Sequence, residues 1–560
     1  MNRSVCIHGH FYQPPRENPW LEEVEKQDSA SPYHDWNERI TAECYAPNTA
    51  SRILDHERRI TQIINNYAHI SFNFGPTLLS WLERHSPDIL WGIQEADRQS
   101  IQRFNGHGSA LAQAYNHMIM PLANRRDKIT QIRWGIHDFQ HRFSRYPEGM
   151  WLPETAVDME TLEICADHNI KFTILAPRQA KRIRKIGDKR WRDVSGSRID
   201  PKQPYIINLA SGKKISVFFY DGPVSQDIAF SGLLYSGENF AKRLLALFSA
   251  HSEQTELAHI ATDGETYGHH HIFGDMALAY CLHYIEEKKA ARITIYGEFL
   301  EQHPPVYEVD IYSNSSWSCV HGVERWKNNC GCNSGMHQNW QQEWRAPLRG
   351  ALDWLRDNLV SIYEQHSSGI LKNPWQARDE YISVILNRSD SNTDQFLHTQ
   401  SLKQLTDDEK IKLLQLLEMQ RHAMLMYTSC GWFFDEISGI ETVQILQYAA
   451  RAMQLCHMAT GISFEDTFVN LLERAPSNVP AFETGKKIYE MFVKPSILDL
   501  LRVGVHFAVS SLFKDYGEQA EIYTYSITAK QFEKEHIGRH KVGIGSITVK
   551  SRITREEQHI

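Results

Sequence analysis

Up to about residue 310, short runs of β-branched and aromatic residues alternate with stretches of helical periodicity. Strand–helix alternation of this kind predicts an α/β fold with a parallel sheet or barrel. Because there are seven or eight such runs, a barrel is favoured over an open sheet. The predicted strands are SVCIHGHF (4–11), HISFNFG (69–75), IRWGIHDF (132–139), GMWLPET (149–155), IKFTILA (170–176), KISVFFYD (214–221), HIATDGE (259–265) and ARITIYGE (291–298).

The pattern changes after about residue 315, where long segments carry apolar residues at helical spacing. These predicted helical segments are 341–365, 407–429, 440–459 and 461–475. Three later segments alternate as strands do, and they are 504–513, 520–535 and 540–554. We therefore expect a barrel (1–314), an α-helical domain (315–510) and a short β-rich C-terminal segment (511–560). The last alternation runs almost to Ile560, which leaves open whether the natural chain continues.

Charge and composition exclude several classes of protein. The formal net charge of −8 gives no general attraction to nucleic acid or anionic membranes, so we expect neither as a partner. The basic run at 178–192 is interpreted as a solvated loop or hairpin rather than a phosphate-binding patch. We find no signal-peptide pattern and no window of about 18 consecutive apolar residues. Nine scattered cysteines do not resemble a disulfide framework, and we expect a cytoplasmic protein.

Three of the predicted strands carry ionisable and aromatic residues at their carboxyl ends. In parallel α/β barrels, the loops at these ends form the cleft in which catalysis takes place. The run HIATDGE ends in Asp263, Gly264 and Glu265, and the glycine is expected to permit a tight turn. The other strand-end residues are His8, His10, Tyr12 and Gln13 at the first strand, and Trp151 and Glu154 at GMWLPET.

Two carboxyl groups that flank a sugar are the standard equipment of glycoside hydrolysis. One of them must be ionised, while the other must hold a proton. The second therefore needs a pKa raised by burial or by a neighbouring negative charge. Aromatic rings supply flat apolar faces against which a sugar ring packs. Glu154 and Asp263, together with the aromatic residues beside them, therefore predict an enzyme that acts on carbohydrate.

The motifs resemble those of glycoside hydrolase family 57 and follow that family's motif order over about 430 residues. The matching segments are HGHFYQPP (8–15) for the first motif, WGIHDF (134–139) for the second, WLPE (151–154) for the third, TDGETYG (262–268) for the fourth and SCGWFFDEISG (429–439) for the fifth. The segment SWSCVHGVERWKNNCGCNSG (316–335) belongs to none of these motifs. The chain is thus similar to a less characterised branch of the family, with an added helical and C-terminal region.

The resemblance implies hydrolysis or glucanotransfer on α-linked glucans, with retained anomeric configuration, on an incomplete (β/α)7 barrel. It implies that Glu154 is the nucleophile and Asp263 the general acid/base, with Glu265 as a supporting carboxylate. It also implies that Trp432 shapes the sugar site, with Asp435 as its partner.

We expect further residues to bind the substrate, which is an oligo- or polysaccharide. His10, Tyr12 and His269 are expected to hydrogen-bond hydroxyl groups of the sugar. The remaining predicted binding residues are His8, Gln13 and Trp151. The two-carboxylate chemistry needs no metal and no cofactor, so none is predicted.

Two alternatives stay open at this point. His8, His10, Asp263 and the triple His269–His271 could surround Zn²⁺ in a polysaccharide deacetylase or an α-mannosidase-like hydrolase. Against this, such enzymes are expected to carry Asp-Asp or His-x-Asp where this chain has His-Gly-His. The other alternative is a non-catalytic carbohydrate-binding protein, since fold alone does not prove activity. The presence of both carboxylates argues against that alternative.

Cys319, His321, Cys330 and Cys332 form a separate group in the sequence. Their side chains are of the kinds that hold structural zinc. A Cys-x-Cys pair is, however, less typical of structural zinc than a pair with two to four residues between its cysteines. The sequence therefore favours an irregular loop of small thiols over a metal site.

Overall fold

The computed structural model describes residues 2–252, 254–335 and 337–560, with the backbone alone at 536 and 537. The chain divides into two units. The first comprises Met1–Pro15 and Lys26–Glu324, and the second comprises Arg16–Glu25 and Arg325–Ile560. The helical segments and the C-terminal strands thus lie in one unit, which also includes a short N-terminal segment.

The first unit contains short strands, several of which are buried along most of their length. These strands are β1 (Arg3–Phe11), β2 (Ser51–Leu54), β3 (Ile60–Ile64), β4 (Ser71–Phe74), β5 (Ala112–Gln113), β6 (Met150–Trp151), β7 (Phe172–Leu175), β8 (Ala180–Lys185), β9 (Arg192–Asp193), β10 (Tyr205–Asn208), β11 (Lys214–Phe219), β12 (Glu256–Asp263), β13 (Arg292–Ile293) and β14 (Tyr307–Ile311). Continuous burial of this kind is typical of parallel strands that are covered on both faces.

Parallel pairs and bridges join several of these strands to their neighbours in the barrel order. β1 pairs with β4 and with β12, β5 pairs with β6, and β7 pairs with β11. Parallel bridges from Phe72 to Ala110 and from Gly149 to Phe172 connect β4 to β5 and β6 to β7. The succession is consistent with a (β/α)7-type barrel, and the predicted α/β class is confirmed.

Helices of the first unit follow the parallel strands β1, β4, β5, β6, β11, β12 and β13. They are α1 (Trp36–Ile40), α2 (Ala46–Thr49), α3 (Pro76–His85), α4 (Pro87–Arg103), α5 (Arg125–Phe143), α6 (Met159–Asp167), α7 (Gly222–Phe230), α8 (Gly237–Leu245), α9 (Gly274–Glu287) and α10 (Tyr296–Gln302). The core of the unit includes a cluster of buried apolar residues on β1, β6, β7, β11 and β12, among them Cys6, Trp151, Phe172, Phe218 and Leu257.

The basic run at 178–192 forms a hairpin, as expected from the sequence. β8 pairs with β9 in an antiparallel arrangement. Two of its arginines form ion pairs with acidic residues of β14, since Arg182 contacts Asp310 and Arg184 contacts Glu308. The positive charge of the hairpin is therefore partly neutralised within the unit.

The predicted strand at 132–139 is wrong, because these residues lie inside α5. The side chain of Asn124 caps the helix by accepting a hydrogen bond from the backbone N–H of Asp127. Buried apolar residues then recur at helical spacing, at Ile132, Ile136 and Phe139. A short apolar run does not distinguish a strand from part of a buried helix, and the flanking cap decides.

The second unit is helical over most of its length, as predicted. Its helices are α11 (Arg345–Ser367), α12 (Pro374–Glu380), α13 (Ile382–Leu386), α14 (Asp390–Gln400), α15 (Asp407–Leu425), α16 (Cys430–Phe433), α17 (Ile440–Thr460), α18 (Glu465–Leu472), α19 (Gly485–Ile488) and α20 (Leu500–Ser510). Glu22, from the N-terminal segment of this unit, forms ion pairs with Arg388 and Arg421.

An antiparallel sheet ends the second unit. Its strands are β15 (Gln519–Ile522), β16 (Tyr525–Ile537), β17 (His540–Ser551) and β18 (Glu557–His559). The predicted strand at 504–513 is wrong, because α20 occupies most of that range. Asp499 caps this helix, and its buried residues Val503 and Phe507 are one helical turn apart and pack on the sheet.

All nine cysteines lie in the described part of the chain, and none of them forms a disulfide. Over the same described ranges, we find no helix with the length and apolar character needed to cross a membrane.

Candidate active site

The strand pairings place several predicted site residues at the carboxyl ends of their strands. His10 lies opposite Asp263 in the β1–β12 register and opposite Asn73 in the β1–β4 register. Glu154 follows β6 in a short 3-10 turn, Pro153–Thr155. Both predicted catalytic carboxylates thus occupy the end of the strands where barrel enzymes carry their reactive groups.

The backbone of Glu154 adopts a conformation that is rare for residues other than glycine. Its φ is 58° and its ψ is 21°, in the left-handed region, and the φ of Thr155 is also positive. Such conformations cost about 1–3 kcal/mol each and persist where surrounding structure holds them. Here the backbone N–H of Trp317 donates a hydrogen bond to the carbonyl of Glu154 over 2.9 Å.

Two side-chain donors also hold the carboxylate of Glu154. The indole Nε1 of Trp317 donates to Oε2 over 2.8 Å, and the hydroxyl of Ser318 donates to the same oxygen over 2.5 Å. Hydrogen bonds to a charged acceptor are short and strong, so they fix the orientation of the carboxylate. The sequence did not point to Trp317 or Ser318, because the segment that carries them belongs to no recognised motif.

Asp263 is the last residue of β12 and is exposed. The surrounding protein limits the solvation of the Asp263 carboxyl group, and this raises its pKa well above the ordinary range. The negative charges of Glu265 and then Glu154 raise the pKa of Asp263 further. Asp263 is therefore better suited than an ordinary aspartate to hold a proton beside a second carboxylate.

Glu265 lies two residues farther on and is buried. Its Oε1 accepts hydrogen bonds from the backbone N–H of Tyr12 over 2.9 Å and from the hydroxyl of Tyr45 over 2.6 Å. Burial raises the pKa of Glu265 to about 7. This carboxylate is thus anchored to protein donors and acts on Asp263 through its charge.

Gly264, between the two carboxylates, is needed for close packing rather than for a left-handed turn. A Cβ atom at this position would lie 2.2 Å from Cδ1 of Phe11, and the φ of Gly264 is not in the positive range. The expected tight turn is present as the 3-10 turn Gly264–Tyr267, and the glycine is required there by its packing against Phe11 of β1.

Two buried histidines line the end of β1. His8 lies 3.0 Å from the hydroxyl of Ser71 and 3.2 Å from the amide oxygen of Asn73, while His10 contacts the same Asn73. Both imidazoles stack on Trp151 with ring centroids 4.9 Å apart. Burial lowers the pKa of each histidine to about 3, so both are neutral at pH 7.

His117 belongs to this cluster, although the sequence did not point to it. Its Nε2 lies 3.1 Å from Nε2 of His10, and its ring stacks on Tyr12 at 3.6 Å. Burial lowers the pKa of His117 well below its ordinary value. Gln13 completes the turn by donating to the carbonyl of Tyr12. The strand before His117, β5, has only two residues, which is too short for a visible alternation of polar and apolar positions.

The segment at 134–139, which the sequence likened to the second motif, does not lie at a strand end. It is the middle of α5, where a Cβ atom on Gly135 would lie 2.0 Å from the carbonyl oxygen of Gln113. The Trp-Gly pair therefore reflects the close packing of α5 on β5, and the strand-end interpretation is wrong.

His269 lies at another place in the first unit. Its Nδ1 pairs with Glu43 over 2.5 Å, and the edge of Trp36 faces its ring. It lines a cavity of about 430 Å³ whose lining residues include neither Glu154 nor Asp263. The structure thus does not bring His269 to the predicted catalytic pair through any described contact.

Trp432 and Asp435 belong to the second unit. Trp432 is fully buried, and the guanidinium of Arg349 lies 4.2 Å from its ring centroid. Asp435 is also buried and accepts hydrogen bonds from the backbone and hydroxyl of Ser334. Both residues have structural partners within their unit, and their binding role stays a prediction.

The histidines that a metal-dependent alternative would use have other partners. His8 contacts Ser71 of β4, His10 contacts Asn73 of the same strand, and His269 is paired with Glu43. Among the described residues, these histidines do not gather with Asp263 into a group of three or more metal-ligand side chains. The geometry therefore favours two-carboxylate chemistry at this site.

Two family models match the chain, one over its N-terminal part and the other over its C-terminal part. The family model described as glycosyl hydrolase family 57 matches residues 6–312. A second model, described as a domain of unknown function (DUF3536), matches residues 340–560. The two matches together cover most of the chain.

One curated relative is alpha-amylase 1 from Dictyoglomus thermophilum, which is 22% identical over 200 residues. The alignment covers 36% of this chain and 26% of that protein, so the likeness spans about a quarter of the relative's length. It supports the family assignment of the first unit only.

Solved structures show a similar fold over most of the chain. An exo-type maltose-forming amylase from Pyrococcus sp. ST04 aligns with a TM-score of 0.61 at 15% identity, over 90% of this chain and 94% of the other. A GH57-type branching enzyme from Pyrococcus horikoshii aligns with a TM-score of 0.51 at 13% identity, over 89% and 97%. At these identities, the likeness shows the fold alone.

Proposed function

The chain belongs to glycosyl hydrolase family 57, and on this premise we propose that it hydrolyses or transfers α-linked glucans with retained anomeric configuration. The predicted enzyme class, a glycoside hydrolase, is confirmed at the level of the family. The similar proteins include amylases and a branching enzyme, which supports an α-glucan as the substrate. We propose the incomplete seven-stranded barrel of the family for the first unit.

Glu154 is the nucleophile in this proposal. Its carboxylate forms a bond to the anomeric carbon while the bond from that carbon to the glycosidic oxygen breaks. The hydrogen bonds from Trp317 and Ser318 support the role, because they hold the attacking group in one orientation before substrate arrives.

Asp263 is the general acid and then the general base. It donates its proton to the departing glycosidic oxygen, and it later takes a proton from the water or sugar hydroxyl that releases the glycosyl-enzyme. The single observation that carries the proposal is the position of Glu154 after β6 and of Asp263 at the end of β12. Limited solvation, and then the charges of Glu265 and Glu154, raise the pKa of Asp263 there. The protonated carboxyl group serves the first step, and the carboxylate that remains after it has given up its proton serves as the base in the second step.

The residues around the end of β1 would receive the sugar. His10 and His117 present neutral, buried imidazoles, the half-buried ring of Tyr12 stacks on both, and Trp151 offers a ring beside them. The indole N–H of Trp151 is buried and finds no acceptor within the described ranges. A buried donor of this kind costs free energy unless a ligand accepts from it, which supports a polyhydroxylated ligand.

The proposal is tested by turnover on a panel of maltooligosaccharides, amylose and glycogen. We expect wild-type protein to release reducing ends or to change the chain-length distribution, and Glu154→Gln to lose both activities. Glu163→Gln serves as a matched control, because Glu163 lies on the neighbouring helix α6 and contacts only the loop at Ser211 among described partners. Equal turnover by the Glu154 and Glu163 variants would overturn the proposal.

A further inference from the structure

Residues 319–332 bring three thiols and an imidazole together in one short stretch of chain. The sulfur atoms of Cys319, Cys330 and Cys332 and a ring nitrogen of His321 all lie within 4.8 Å of one another. We propose that this stretch binds one Zn²⁺ ion as a structural site with three cysteine ligands and one histidine ligand. The proposal does not depend on the catalytic function of the chain.

The separation of the ligand atoms fits a tetrahedral ion. Zinc binds sulfur at about 2.3 Å and nitrogen at about 2.0–2.1 Å, so neighbouring ligand atoms of such a site lie about 3.5–3.8 Å apart. The four ligand atoms here lie at most 4.8 Å from one another. The corners of a regular tetrahedron with edges of that length lie about 2.9 Å from its centre. Each ligand atom therefore has to move by less than about 1 Å to reach the metal.

The turn that carries the first two ligands is held by local hydrogen bonds. The N–H of Gly322 donates to the carbonyl of Cys319 over 3.1 Å, and the hydroxyl of Ser316 donates to the carbonyl of Gly322 over 2.6 Å. Gly322 has a φ of 88°, and a Cβ atom there would lie 2.3 Å from the carbonyl oxygen of Asn314. The position of Cys319 and His321 is thus fixed by a turn that requires glycine.

The second pair of ligands flanks Gly331, whose φ is 82°. The guanidinium of Arg345 donates a hydrogen bond to the carbonyl of Cys332 over 3.0 Å. The left-handed backbone at Gly331 and this hydrogen bond together fix the chain that carries the two thiols.

The kind of ligands selects the metal. Three soft thiolates and one imidazole are suited to zinc rather than to calcium or magnesium, which prefer oxygen. All four positions of a tetrahedral ion are filled by side chains, which is typical of structural rather than catalytic zinc. The sequence favoured an irregular loop of thiols, and the convergence of all four ligand atoms is the observation that reverses this preference.

The site has a consequence for the active site, and this consequence rests on the proposed function. Cys319 directly follows Trp317 and Ser318, whose side chains hold the carboxylate of Glu154. A metal bound at Cys319 and His321 would restrict the motion of this segment. Loss of the metal would then loosen the nucleophile, although the metal takes no part in the reaction.

The first test is the metal content of untagged protein purified without chelator. We expect about one zinc per chain in the wild type, and a small fraction of that in a Cys330→Ser/Cys332→Ser variant. Cys430→Ser is the matched control, because Cys430 is also half-buried but lies outside the cluster. Equal zinc in the double variant and the wild type would overturn the proposal.

A second measurement covers the case in which the double variant fails to fold. Wild-type protein is stripped with a chelator and titrated with Co²⁺, which takes the place of zinc and absorbs through thiolate-to-cobalt charge transfer. We expect that absorption to saturate at one cobalt per chain. Its absence in folded protein would overturn the proposal. Neither readout depends on turnover, so an inactive chain with one zinc would contradict the proposed function and not the metal site.

Discussion

The hydroxyl of Ser318 lies 2.5 Å from Oε2 of Glu154, a residue 164 positions earlier in the chain. The contact connects the strained turn after β6 to a segment that follows β14. Such a bond holds a carboxylate in one orientation before substrate arrives, which removes part of the entropic barrier to attack. The orientation of Glu154 therefore depends on residues that no sequence motif identifies.

Ser318→Ala tests this dependence. Because a hydrogen bond to a charged group contributes about 1.5–3 kcal/mol, we expect kcat to fall about 10- to 100-fold with little change in KM. Ser318→Thr retains the hydroxyl and is expected to restore most of the rate. Ser313→Ala changes an exposed serine of the same segment and serves as the control. Wild-type kcat in Ser318→Ala would contradict a positioning role.

Asp263→Asn tests the general acid. We expect a loss of about 10²- to 10⁴-fold with natural glucans, whose leaving group needs a proton, and a smaller loss with activated aryl glucosides. The comparison is made on kcat/KM for both classes of substrate. If the two classes lose activity equally, Asp263 is not the acid.

Glu265→Gln tests how the proton on Asp263 is held. The acid must be protonated, so activity falls as pH rises through the pKa of Asp263. The charge of ionised Glu265 helps to raise that pKa. Removing the charge therefore lowers the pKa of Asp263, and we expect the alkaline limb of the kcat/KM profile to move to lower pH. Glutamine can still accept hydrogen bonds from Tyr12 and Tyr45. An unmoved or higher limb would contradict the account.

Gly135→Ala tests the packing of α5 on β5. The added Cβ would lie 2.0 Å from the carbonyl oxygen of Gln113, so we expect the free energy of unfolding to fall by about 1–3 kcal/mol or more. Gly350→Ala in α11 is the matched control, since a Cβ there meets nothing within 4 Å. Removing a glycine from a helix interior should stabilise by about 0.5–1 kcal/mol. Urea unfolding measures both changes, and a neutral Gly135→Ala would contradict the packing.

The elements that the sequence predicts correctly are long or have a regular spacing of apolar residues. β1, β12 and the helices α11, α15 and α17 were all predicted, because each carries a regular spacing of apolar residues. The errors concern short apolar windows, in which a strand and part of a buried helix look alike. They lie at α5, at α20 and at the end of the predicted strand 291–298, where α10 begins at Tyr296 and the strand itself is only Arg292–Ile293. The capping residues Asn124 and Asp499 contain the information that distinguishes the two cases.

The candidate site could be predicted only where a residue stands at the end of a recognisable strand. Glu154, Asp263 and His10 meet that condition, whereas His117 follows a strand of two residues and was missed. Trp317 and Ser318 reach Glu154 through long-range contacts that a sequence pattern does not encode. His269 contacts Glu43 and Trp36 in the structure, and its predicted contact with the sugar stays a prediction.

Covalent trapping tests the central claim most directly. A fluorinated α-glucosyl fluoride, which slows release of the glycosyl-enzyme, is incubated with the wild type, and the labelled peptide is identified by mass spectrometry. The account predicts one glucosyl adduct per chain on the peptide that contains Glu154, and none in Glu154→Gln. An adduct on another carboxylate, or turnover of natural glucan without an adduct and with inverted configuration, would contradict it.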